Sequence, residues 1–187
     1  IDADRTTADL RFCHEQFESI RSDLKDFASG LRSIQLEWHP EESVWSIAQC
    51  VEHLNNATEN DVARLSGLVV LARAARRSSI GPYRCRRDTP VLIMHESPRH
   101  SLTTATGIRS APFVDDPAKL VPRFLVLNGQ LLGVIATAAR VAADGTSASG
   151  NVLLDLVGHV LQLNALHHWR FILQARRVME RPGFPRS

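Results

Sequence analysis

The sequence predicts an all-α protein: a four-helix up-down bundle with a long crossover between its second and third helices. Three observations carry this expectation. Four segments place apolar residues at alternating three- and four-residue steps, the period of a helix with one buried face. Strand-type alternation is scarce. Between the second and third segments, Pro82, Pro90, Pro98, Pro112 and Pro117 interrupt the chain too often for a continuous helix.

The first helix is expected from Thr6 to Leu31, with Leu10, Cys13, Phe17, Ile20, Leu24 and Phe27 as its stripe and Gly30 as its stop signal. The second has a defined start. In Ser46-Ile-Ala-Gln49 the serine hydroxyl can accept the backbone N–H three residues on, while the glutamine reaches back, as in a capping box. Trp45 before the cap and Cys50 after it are placed as a hydrophobic staple. Val51, Leu54, Val62, Leu65, Leu68 and Val69 continue the apolar face towards Arg77. Residues 78–117 then form the expected crossover, far longer than the usual ~4–6-residue connection. Within it Val91-Leu-Ile-Met94 fits either a short strand or a plug over one end of the bundle. The third helix is expected over Pro117–Ala143 and the fourth over Asn151–Glu180, with Asp144-Gly145-Thr-Ser-Ala-Ser-Gly150 as the joint and Pro182-Gly183 as the terminator.

Composition bounds the function. At 187 residues the chain suits a single domain, 1–187, with one sizeable core. Its longest apolar stretch, Leu125 to Val141, is interrupted by Asn128, Gly129, Gln130 and Arg140, so it reads as a buried helix and no membrane partner is expected. The opening residues Ile1-Asp2-Ala3-Asp4-Arg5 lack the apolar core of a secretory signal. Cys13, Cys50 and Cys85 are odd in number and widely spaced, forming neither a CxxC pair nor a disulfide framework, which points to a reducing cytoplasm.

A formal net charge of +2 does not by itself call for a polyanionic partner. Arg73, Arg76, Arg77, Arg84, Arg86 and Arg87 do cluster, and the choice is between a phosphate contact and a solvated helix end. Tyr83 is the single aromatic among them, so the sequence argues against nucleic-acid binding. No GxSxG and no Gly-rich phosphate loop occurs. Cys50 reads as a packing residue and not as a nucleophile.

Placement singles out two of the eight histidines. His53 lies two turns into the second helix, beside its apolar face, and His167 lies midway along the fourth. If those helices are neighbours, both imidazoles can point into one cavity, where they could ligate Zn, Ni or Fe. Periodicity alone equally allows each to be a hydrogen-bonded residue at the core edge. His168 is rotated by about 100° from His167 and is expected to face elsewhere. His159 lies two turns away along the axis. His14, His39, His95 and His100 fall near termini or loops.

Two segments around these histidines resemble the DinB-like family of helical bundles. One is Trp38-His-Pro40 followed by Trp45-Ser-Ile-Ala-Gln-Cys-Val-Glu-His53-Leu54; the other is His167-His-Trp-Arg-Phe171-Ile-Leu-Gln174-Ala-Arg-Arg-Val178 with Pro182-Gly-Phe-Pro185. With the helices between them the resemblance spans about Ala8 to Pro185, and it is poorest over residues 78–110. It implies a three-histidine divalent-metal site, with one ligand on the second helix and an H-x-x-x-H pair on the fourth. Members with all three histidines use the metal to activate a low-molecular-weight thiol in transfer or isomerisation. Here His53 and His167 match two ligand positions, and the third is Phe171, which cannot ligate a metal.

The resemblance therefore implies a degenerate metal site. The functional alternatives are a weakened metal-dependent thiol transferase or hydrolase-like enzyme, with Asn164 or a nearby carboxylate in the third place, and a metal-free bundle binding a small ligand or a partner in the same cavity. A homodimer through an exposed helix face is compatible with either but not required.

Overall fold

The computed structural model describes residues 2–74, 112–144 and 152–186. Every regular element among them is helical: α1 (Asp2–Ala28), α2 (Ser33–Glu37), α3 (Ile47–Ala74), α4 (Pro117–Ala143) and α5 (Val152–Met179). The all-α expectation holds, with four long helices and one short one. Most of the expected crossover, its Val91–Met94 segment and the arginines after Arg73 lie outside the described residues.

The α1 stripe does what its spacing requires. Leu10, Cys13, Phe17, Ile20 and Leu24 are fully buried. Phe27, at the edge of the same stripe, is half-buried and carries the Arg176 guanidinium 5.0 Å from its ring centre. Polar pairs fix the direction of α5 beside α1. The Thr6 hydroxyl donates to Asp155, the Trp169 indole N–H donates to Gln16, and Arg176 donates two hydrogen bonds to Asp23. Both residue numbers rise together, so α1 and α5 run the same way. Along α3 and α5 the pairing is His53 with His167 and Asp61 with Asn164, so these two run in opposite directions.

The start of α3 matches its sequence signature. The Gln49 backbone N–H donates to Ser46 Oγ at 3.1 Å, and the Ser46 N–H donates to Gln49 Oε1 at 2.9 Å. Ser46→Ala is expected to cost about 0.5–2 kcal/mol of stability, read from urea unfolding. No loss would mean that packing alone sets this helix start.

Two features of the α1–α3 connection carry no periodic signal. The helix α2 is one: the Arg32 N–H donates to Gln35 Oε1, and Leu36 is buried. The C-terminal segment folding back onto it is the other. Gln35 Nε2 donates to the Pro185 carbonyl at 2.8 Å, and the Trp38 and Phe184 rings meet edge to face at 5.5 Å. Gly183 turns the chain there with φ of 88°, a conformation that favours glycine.

Asp116 caps α4 by accepting the Ala118 N–H, with Pro117 in the first turn. This helix is long and apolar enough to cross a membrane by length and composition. Its buried positions, among them Phe124, Leu131, Ile135 and Ala138, pack against α1 and α3, as those of a core helix do.

Candidate functional site

The antiparallel packing of α3 against α5 brings the two expected histidines together. His53 Nε2 and His167 Nε2 are 2.9 Å apart, a hydrogen-bond distance. One nitrogen carries the hydrogen and the other accepts it.

Two aromatic rings pack against this pair. The Phe171 ring centre is 4.4 Å from that of His53 and 4.9 Å from that of His167. Trp45 stacks on Phe171 at 5.6 Å and meets the His53 ring edge-on at 5.5 Å. Phe171 is fully buried, and Trp45 nearly so. Trp45, the residue before the α3 cap, thus packs on the Phe171 ring and holds it against the pair.

The donor set can be compared with what a metal needs. Two nitrogens on one tetrahedral Zn, each about 2.0–2.1 Å from it, lie about 3.3 Å apart, whereas these two are close enough to bond to each other. The Phe171 ring packed on both imidazoles offers carbon only. Among the described residues no group of three His, Cys, Asp or Glu side chains is arranged to hold an ion. Asn164 and Asp61, which share a cleft with His167, are engaged with each other: Asn164 Nδ2 donates to Asp61 Oδ2 at 2.6 Å. These residues do not fit a three-ligand metal centre.

His167 also lines an open cleft of about 440 Å³ between α3 and α5. Asn60, Asp61, Arg64 and Asn164 supply its polar wall, and Ala57 and Leu163 its apolar one. Burial pushes the Asp61 carboxyl above its ordinary value, against the opposing pull of Arg64 and Asn164. Spacing places Asp61 here, seven residues after Leu54 and four before Leu65, on the buried face of α3.

His168 does face away from the pair, and its destination is the core. It is fully buried, with Phe17 at 5.3 Å and Phe124 at 6.3 Å between ring centres. Its Nδ1 lies 2.7 Å from the Asn164 carbonyl, so Nδ1 carries a hydrogen, and its Nε2 lies 2.9 Å from the Thr58 hydroxyl. Burial, seconded by the neighbouring His167 and His53, pushes its pKa from 6.5 down to about 3, and the bond to Asn164 offsets only part of this. His168 is a neutral structural residue. Cys50 is buried beyond reach of solvent, and burial raises its thiol far above the ordinary value, which suits packing and not nucleophilic attack.

A family model described as the DinB superfamily matches residues 16–175. No curated protein and no solved structure matches the chain at a significant level.

Proposed function

The chain belongs to the DinB superfamily, and on that premise we propose that it is a metal-independent member binding a small organic molecule in the cleft beside His167. In this reading the four long helices form the family's bundle, with residues 78–117 as crossover. The His53–His167 pair is a closed hydrogen-bonded clasp at the end of the cleft. The observation that carries the reading is the 2.9 Å bond between the two Nε2 atoms, with Phe171 packed on both rings. A bound divalent ion would supply Lewis-acid activation of a thiol or water. This chain offers two imidazoles and a phenyl ring for that task, where three protein ligands are the norm.

Elemental analysis of protein made without a chelating tag and incubated with Zn, Ni or Fe tests the proposal. The parent is expected to retain no stoichiometric metal. Phe171→His restores a histidine one turn after His167, on the same helical face, and is expected to gain one equivalent. Tight stoichiometric metal in the parent would overturn the metal-free reading in favour of the metal-dependent enzyme.

A further inference from the structure

Asp61 is the one acidic side chain buried among the described residues. A carboxylate taken out of water needs a cation and hydrogen-bond donors around it. Asn164 provides one donor at 2.6 Å. Arg64 provides the charge at 2.9 Å, but its own side chain is 58% exposed and sits one turn along the same helix. An ion pair of that kind contributes little and is readily exchanged, because water solvates the guanidinium equally well. The carboxylate therefore lines a cleft with its charge incompletely compensated. Around it the cleft supplies hydrogen-bonding groups from Asn60, Asn164 and His167, and the short apolar surfaces of Ala57 and Leu163.

We propose that this cleft binds a primary ammonium group on a short apolar stem, with Asp61 as its counter-ion. The ammonium displaces Arg64 towards solvent and donates to the carboxylate, giving a charge-assisted bond in a partly desolvated place. Asn164 holds the carboxylate plane through its existing bond and acts as a positioning residue. The stem lies against Ala57 and Leu163. His167, hydrogen-bonded to His53, closes the cleft end and reports its occupancy through its ring protons. The inference deepens the small-ligand reading above and rests on this cleft being the ligand site.

The test is titration of the full chain with n-butylammonium chloride, sodium butyrate and 1-butanol, followed by NMR at the His167 ring and the Asn164 side-chain amide. Butylammonium is expected to shift both signals and to saturate, with butyrate and butanol far weaker. Asp61→Asn keeps the size and one acceptor oxygen, for the Asn164 bond, but removes the charge. It is expected to weaken butylammonium by about ten- to a hundredfold. Should Asp61→Asn not fold by circular dichroism, Leu163→Trp fills the cleft from the opposite helix and is expected to abolish the shifts. Preference for butyrate, or butylammonium binding unchanged in whichever variant folds, would overturn the inference. Metal uptake by the parent, a separate readout, would sink the metal-free reading while leaving ammonium binding at Asp61 standing.

Discussion

Replacing His168 with alanine is expected to lower the stability of the protein by about 3–5 kcal/mol, among the largest effects any single side chain here should have. The ring is fully buried between Phe17 and Phe124. Its removal opens a cavity of aromatic size and strips Thr58 and the Asn164 carbonyl of a partner. The same residue sets a pH dependence of defined sign. Folded His168 binds a proton only near pH 3, whereas the unfolded chain binds it near 6.5. Above pH 6.5 both states are neutral and His168 contributes no slope. Below it the unfolded state takes up the proton first, so stability falls by up to about 1.4 kcal/mol per pH unit until about pH 3.

The hydrogen bonds around this ring do not all favour the neutral form. Thr58 has one hydrogen and two acceptors in reach, His168 Nε2 at 2.9 Å and the Leu54 carbonyl at 2.7 Å. An imidazolium would satisfy both by donating to the hydroxyl. The cost of burying its charge among phenyl rings outweighs that gain. Asp61 acts with the opposite sign, since its raised folded pKa makes acid less damaging in the carboxylate range. Comparing the parent with His168→Gln by urea unfolding from pH 7 to pH 4 isolates the histidine. The variant should show a shallower fall, and equal slopes in the two proteins would refute the assignment.

Asn128→Leu is expected to do the reverse and stabilise the fold by about 1–3 kcal/mol. Asn128 is fully buried on α4, and neither Oδ1 nor Nδ2 has a hydrogen-bond partner among the described residues. Leucine shares the branched four-atom skeleton of asparagine and is somewhat larger, so the change exchanges two unsatisfied polar atoms for methyl groups without opening a cavity. A rise of several degrees in melting temperature is the expected result for a chain of this size. A fall would mean that a buried water serves the amide or that the core has no room for the bulkier methyl groups.

What the sequence made legible follows from how each feature is encoded. Repetition made the four long helices visible, and α1 buries five of the six residues its stripe nominated. A local hydrogen-bond pattern made the α3 start visible, since both halves of the box lie within four residues. The meeting of His53 and His167 depended on two helices being neighbours, and their proximity in space is the long-range result that the helical period alone left open. The helix α2, five residues long, is too short to repeat.

His168 was readable and passed over. Leu161, Ala165, His168, Ile172 and Ala175 recur at four- and three-residue steps and are all buried, so the ring belongs to the α5 stripe despite its polarity. Asp61 is the same lesson on α3. A charged residue on an apolar face is ordinarily discounted, and here the face turns into a cleft.

The docking of the C-terminal segment onto α2 has a consequence for the order in which the molecule assembles. The Gln35–Pro185 bond closes a loop of 150 residues. Such a closure is entropically costly on an open chain and becomes cheap only when the intervening helices have already drawn the two ends together. Trp38 and Phe184 are therefore expected to meet late, after α1, α3 and α5 have packed. Stopped-flow refolding should then show the fluorescence change of the Trp38 indole on meeting Phe184 only after helix formation by circular dichroism is complete, and simultaneous signals would refute that order.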